Sequence, residues 1–163
     1  MVSNNLTRLL AARKIAFQVY DLPKKKIGAL ETAHLLGVSA EIVYKTMVVL
    51  REKPGKPILA VVPGPNEVEL KLLAAFVGEK KLKLATLHEA EQLTGLQAGG
   101  ISPIALINRG FQTVLDAAAL NFEEIHVSGG QLGLNIRLPV NALIQLTNAG
   151  IGSISKGKIL NSG

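Results

Sequence analysis

Two β-rich runs, "VYKTMVVLRE" (43–52) and "KPILAVVPG" (56–64), are separated by little more than Pro54-Gly55. Apolar, β-branched stretches on either side of a Pro-Gly turn are the signature of an antiparallel hairpin. That pair constrains the fold more than any other stretch. It seeds an antiparallel sheet, and the strands and helices predicted around it lack the regular βαβ alternation of a doubly wound parallel sheet. The expectation is one compact α/β or α+β domain over 1–163, with helices around a mixed, curved and barrel-like sheet.

The hairpin also places one residue oddly. If Tyr44, Thr46 and Val48 share one face of the first strand, Lys45 lies on the other with Met47 and Val49. Either the lysine snorkels at the strand end, or a stiff strand holds a cation inside a pocket.

Around this pair the chain carries clear punctuation. Leu6, Leu9 and Leu10 are spaced for an amphipathic first helix, and "AFQVYDL" (16–22) alternates as a strand before the loop "LPKKKIG". "ALETAHLLG" predicts a helix stopped by Gly37, and "NEVELKLLAAFVG" one capped by Asn66 and stopped by Gly78. "KKLKLA" predicts a short strand. Thr86 with Glu89 three residues on is a capping box, and that helix closes at Gly95. In the last third, "FQTVLDAAAL", "EIHVSGG" and "LNIRLPV" predict strands joined by glycine-rich turns, and "NALIQLTNA" a final helix.

Two glycine-rich stretches invite a chemical reading. In "AGGISPI" (98–104), Gly99 and Gly100 permit positive φ, and Pro103 biases Ser102 toward an extended conformation. Such a loop either connects a helix to the next strand or turns successive N–H groups toward one point, as an anion or oxyanion requires. Ser102 lacks the G-x-S-x-G setting of a hydrolase nucleophile. "VSGGQLG" (127–133) lacks the lysine of a phosphate-binding loop and reads as a hairpin turn that could line the same cleft.

The chain has no cysteine, which excludes disulfides, thiolate metal sites and a cysteine nucleophile. His34, His88 and His126 have no mutual metal spacing, so neither a metal nor another cofactor is expected. A net charge of +6, with lysines grouped at 24–26, 80–83 and 156–158, is either a solvated surface or a contact face for a polyanionic partner such as nucleic acid. Aromatic residues are only 4%, so phosphate contact rather than base stacking would carry nucleic-acid binding. The apolar runs are strand-sized, well short of the roughly 18 residues of a membrane span, and the first residues lack a secretory pattern. A cytoplasmic chain is the expectation.

The strand "YKTMVV", the loop "GGISPIA" and the terminal "EIHVSGGQLGLNIRLPVNALIQL" occur in the order and spacing of the YbaK/EbsC family, which is similar to the editing domain associated with prolyl-tRNA synthetase. The resemblance runs over nearly the whole chain. It implies a free-standing, metal-independent aminoacyl-tRNA deacylase that removes cysteine or alanine from tRNA for proline, with prolyl-tRNA synthetase as a partner. It further implies that Lys45 is the pocket lysine and that Gly99, Gly100, Ser102 and Pro103 cradle the aminoacyl ester. Tyr20 and the Ser128, Gly129, Gly130 loop would line the rim. Asn135 stands in the substrate wall where the family tends to an acidic residue. The rival expectation is a non-catalytic module that holds a tRNA end or a synthetase in the same basic cleft.

Overall fold

The computed structural model describes residues 3–157. Five helices and ten strands follow one another as α1 (Asn5–Ala12), β1 (Gln18–Asp21), α2 (Ala29–Leu36), β2 (Tyr44–Arg51), β3 (Ile58–Pro63), β4 (Asn66–Val68), α3 (Leu70–Val77), β5 (Leu82–Leu84), α4 (Leu87–Thr94), β6 (Gln112–Asp116), β7 (Glu124–Ser128), β8 (Leu134–Pro139), α5 (Val140–Thr147), β9 (Gly150–Gly152) and β10 (Ser155–Gly157) among the described residues.

The central sheet has the order β5-β2-β3-β6-β9, a second sheet is β1-β8-β7, and β4 pairs with β10. The β2–β3 hairpin is antiparallel, as its turn chemistry predicts, while β3–β6 and β6–β9 are parallel, so the sheet is mixed. Each of the three sheets is an open run of strands, and the barrel-like closure expected from the sequence is not found.

Local chemistry accounts for the helix ends. Thr86 accepts from the Glu89 N–H while Glu89 accepts from the Thr86 N–H, and Gly37, Gly78 and Gly95 all take the left-handed conformation that ends a helix cheaply. Asn66 is not the cap of α3. It lies in β4 opposite Gly157 and donates to Ser155 Oγ at 3.0 Å, and Glu69 caps the helix instead. The β-rich run after Phe111 also stops sooner than expected. Asp116 ends β6, starts a 3₁₀ turn by accepting from the Ala118 N–H, and binds Ile154 N–H and Ser155 Oγ–H with its other oxygen.

The central sheet is buried on both faces. Val49, Ile58, Ala60, Val62 and Val114 pack under Leu73 and Ala74 of α3. On the opposite face Val48 and Leu59 meet Ala90 of α4, and Tyr44, Val61 and Leu115 join Ile125, Val127, Ile136 and Leu138 of the second sheet beneath α1 and α5. That second sheet therefore has one apolar and one polar face. Phe17 and Val19 pack toward the core, and Gln18 and Tyr20 turn the other way.

Candidate functional site

The two sheets meet at one point, a parallel bridge between Val43 and His126. Beyond it β7 diverges from β2, and β5 joins β2 only from Val49 onward. Between these two neighbours the outer edge of β2 has no strand partner among the described residues. A cavity of about 250 Å³ opens there, lined among others by five consecutive residues, Tyr44 to Val48. Successive side chains of a strand point to opposite faces, so five in a row can line one space only if the backbone edge itself does.

The register carries one face across the junction. Partners in a ladder point to the same side, so Val43 shares a side with His126, and Lys45 with Ser128 two residues further along each strand. Ser128 pairs with Asn135 and Asn135 with Tyr20. Lys45, Ser128, Asn135 and Tyr20 therefore stand on a continuous face, and the first three line the cavity. The face expected for Lys45 from its alternation with Met47 and Val49 is the one observed. Its Nζ donates to the Gly64 carbonyl at 3.1 Å, which holds the ammonium at the β3–β4 turn.

Close backbone approaches knit the loops around the mouth. A Cβ on Gly133 would lie 2.7 Å from the Leu22 carbonyl oxygen, and one on Gly99 would lie 3.3 Å from Leu132 Cδ2 and 3.4 Å from Lys26 Cα. Glu91 ties the same region together, because its carboxylate pairs with Lys26 at 2.8 Å and accepts from the Ala98 N–H at 2.8 Å. Those two bonds, Lys26 first, hold the Glu91 carboxyl below its ordinary pKa.

The glycine pair divides its duties. Gly99 takes φ +92°, whereas Gly100 lies outside the positive-φ region, and its N–H is spent on the Gln97 carbonyl at 2.8 Å. Gly100 is a glycine for space, since a Cβ there would lie 3.0 Å from the Gln131 carbonyl carbon. The N–H groups of Gly99 and Ile101 make no hydrogen bond among the described residues, and both residues line the cavity. The Gly99 carbonyl accepts from Ser128 Oγ–H at 3.3 Å.

Other expected residues take supporting places. Ser102 is fully buried, and its Oγ accepts the Ile104 N–H at 3.2 Å, so with the buried Pro103 it shapes the loop from beneath. Gly129 and Gly130 line a different hollow beside Asn4 and Gln131. Tyr20 flanks the wall, its hydroxyl donating to Gln18 Oε1 at 2.8 Å and its ring centroid 5.4 Å from that of His126. Lysines 24–26 reach the mouth, with Lys25 lining it; Lys158 of the 156–158 group lies outside the described residues.

His126 is the residue that sequence reasoning left without a role. It is 1% exposed, and its Nδ1 lies 2.7 Å from Oδ1 of Asn135, itself 4% exposed. Alternation along "EIHVS" could have flagged a histidine on the face opposite Ile125 and Val127, but the partner needs the β7–β8 register. Among the described residues no three His, Cys, Asp or Glu side chains gather as a metal-binding group, and no helix is long and apolar enough to cross a membrane.

Among the described residues the lining includes two cations, Lys25 and Lys45, and no carboxylate. An α+β domain with a small cavity lined by two lysines and by the unpaired outer edge of β2 can take an acceptor-rich, anionic group. The aminoacyl-tRNA editing domain matches residues 26–146, and the chain belongs to that family. It is 33% identical over 93% of its length, and 92% of the relative's, to a protein of Enterococcus faecalis named "Putative Cys-tRNA(Pro)/Cys-tRNA(Cys) deacylase EbsC". It is 32% identical over 53% of its length to a proline–tRNA ligase of Thermodesulfovibrio yellowstonii, of which it spans 14%. Its fold superposes on the crystal structure of "a putative trans-editing enzyme for prolyl tRNA synthetase" with a TM-score of 0.78 and 27% identity, covering 96% of this chain and 100% of that one.

Proposed function

We propose that the whole chain, 1–163, is an editing unit that hydrolyses the ester of a mischarged tRNA in trans, with cysteinyl- or alanyl-tRNA for proline as its substrate class. The observation that carries this reading is the cavity at the open edge of β2. There Lys45, Gly99 and Ile101, the last two with N–H groups unspent among the described residues, line one space of about 250 Å³, a size suited to a small aminoacyl group. Family membership and the relatives named as tRNA deacylases support it.

In this reading the ester carbonyl points at the 99–101 loop, whose N–H groups stabilise the oxyanion of the tetrahedral intermediate, and positive φ at Gly99 shapes the turn that presents them. Gly100 does not donate, because its N–H is already bonded. Lys45, fixed by the Gly64 carbonyl, supplies positive charge next to the ester or the terminal phosphate. An activated ester asks mainly for orientation, with a bound water as nucleophile. For a cysteinyl ester the substrate's own thiol can attack its carbonyl, closing a thiolactone as the carbonyl–oxygen bond breaks and the ribose hydroxyl leaves with the proton. Lysines 24–26 and 80–83 would contact the tRNA backbone, and prolyl-tRNA synthetase would be the partner that hands over the substrate.

The deciding experiment incubates the protein with Cys-, Ala- and Pro-tRNA(Pro) and measures the loss of each ester. Rapid loss of Cys- or Ala-tRNA(Pro) with Pro-tRNA(Pro) spared is the expected result. Tight tRNA binding without turnover on any of them would replace the enzyme with a binding module.

A further inference from the structure

The polar face of the β1-β8-β7 sheet holds a buried pair that the proposed chemistry does not use. Tyr20, Asn135 and Ser128 form one cross-strand row, and Gln18, Arg137 and His126 the next. His126 Nδ1 faces Asn135 Oδ1 at 2.7 Å, whereas His126 Nε2 is buried without a hydrogen-bond partner. A neutral imidazole has one N–H to place. Placing it on Nε2 would bury an unpaired donor. On Nδ1 it donates to the amide oxygen and leaves only an unpaired acceptor, which is the milder defect.

The Nδ1–H tautomer has a consequence for the cavity. An amide carries its oxygen and its NH₂ on opposite branches, so committing Oδ1 to His126 directs Nδ2 away from it. Nδ2 has no hydrogen-bond partner among the described residues, and Asn135 is a lining residue. We propose that His126 is a positioning residue: by donating to Asn135 Oδ1 it turns the amide NH₂ into the cavity, so that this wall selects a hydrogen-bond acceptor of the ligand and not its α-ammonium group.

This inference rests on reading the cavity as an aminoacyl-ester site. An aminoacylated adenosine offers acceptors in its carbonyl, ribose and base, and one cation in its α-ammonium group. A carboxylate at position 135 would attract that cation, and among the described residues no other lining side chain replaces it, since the lining charges there are those of Lys25 and Lys45. The ammonium group is therefore left without a charged partner in the wall, and blocking it costs little binding.

The test uses an amide-linked, non-hydrolysable 3′-alanylamino-3′-deoxyadenosine and its N-acetylated form. Wild type should bind the two within about threefold of each other. Asn135→Asp should shift the ratio toward the free ammonium form by about tenfold or more, the size of one charge-assisted contact. A wild-type preference of tenfold for the ammonium form, or an unchanged ratio in Asn135→Asp, overturns the selectivity.

The positioning role is read separately, from the ¹⁵N shifts of the His126 ring in the ligand-free protein and from a double-mutant cycle with His126→Phe and Asn135→Ala. The expected results are the Nδ1–H tautomer, and a loss on His126→Phe that disappears once Asn135 is alanine. An Nε2–H tautomer, or an equal loss in both backgrounds, removes His126 from the wall. Failure of both analogues to bind a folded protein overturns the ester-site reading and the selectivity with it, while the tautomer still decides how Asn135 is held. Binding with the wrong ratio or the wrong tautomer sinks this inference alone.

Discussion

The two halves of β2 have similar sequences and opposite surroundings. From Val49 to Arg51 the strand has β5 on one side, and Val49 pairs with Ile58 of β3 on the other, fully buried beneath α3. Arg51 finishes that half by donating to the Lys56 carbonyl, to Gln112 and to Glu79, which ties hairpin, sheet and helix together. From Tyr44 to Met47 the strand is paired with β3 alone, and its outer edge faces the cavity. The first half has the same stiffness as the second, but among the described residues no strand pairs with its outer edge. A site built on such an edge inherits rigidity from one flank and hydrogen-bonding capacity from the other, which is what preorganised catalysis requires.

The largest expected effect comes from breaking the open half. Lys45→Ala should lower kcat/KM on the mischarged ester by about 10²-fold or more, while the melting temperature moves little, because its ammonium hydrogen-bonds the Gly64 carbonyl at a turn rather than packing in the apolar core. Lys45→Arg should not restore turnover, since a planar guanidinium does not occupy the place of a compact ammonium. Near-normal single-turnover rates in Lys45→Ala would show that the two halves do not differ in function.

The closed half should answer in the other currency. Val49→Ala removes two methyl groups from a fully buried site, for about 2 kcal/mol of stability. Urea unfolding reads that loss, and turnover per folded molecule should stay at the wild-type value. A tenfold drop in turnover would mean that packing under α3 reaches the open edge and that the division of β2 is artificial.

Gly100 lies between these extremes, because it shapes the loop opposite the open edge without lining the cavity. Gly100→Ala places a methyl 3.0 Å from the Gln131 backbone, so the two loops must part by a few tenths of an ångström. A cost of about 1–3 kcal/mol in stability is expected, with turnover down severalfold as the Gly99 and Ile101 donors shift. Gly99→Ala, strained at φ +92° and directly beside the cavity, should lose more turnover than Gly100→Ala. The reverse order would return the oxyanion role to Gly100.

What the sequence made legible was local. The Pro-Gly turn, the Thr86–Glu89 box and the glycine stops at 37, 78 and 95 act within a few residues, so spacing alone exposes them. Asn66 misled because its partner, Ser155, is 89 residues away. β9 was invisible for a similar reason. Gly150 and Gly152 carry no strand signal, yet a Cβ at either would lie within 3 Å of the Phe76 ring, so glycine is what lets that strand slide under α3. In the site, Lys45 could be singled out by alternation along one strand. The buried His126–Asn135 pair could not, because it exists only once β7 and β8 are in register, and neither could the spent N–H of Gly100, which depends on how the turn at 97–100 closes.

The smallest expected effect separates the wall of the cavity from the rest of the fold by pH. Burial, aided by the Arg137 guanidinium across the strand pair, holds His126 below its ordinary pKa of 6.5, against the opposing pull of Asn135 and Glu124. Its folded state is therefore the neutral one, and the unfolded chain binds the proton more readily. Stability should be full above pH 6.5, begin to fall as the pH drops through that value, and go on falling until the lowered pKa of the folded state is passed. Glu69, Glu89 and Glu91, all lowered from 4.5, lose their contributions only at more acid pH, so the interval just below 6.5 belongs to His126 among these groups. Urea midpoints at pH 7.5 and 5.5 should differ more for wild type than for His126→Gln, and an NMR titration of the His126 ring should give a midpoint below 6.5. A midpoint above 6.5 would mean that the folded chain binds the His126 proton more readily than the unfolded one, and the contrast between a charged Lys45 edge and an uncharged Asn135 wall would be lost.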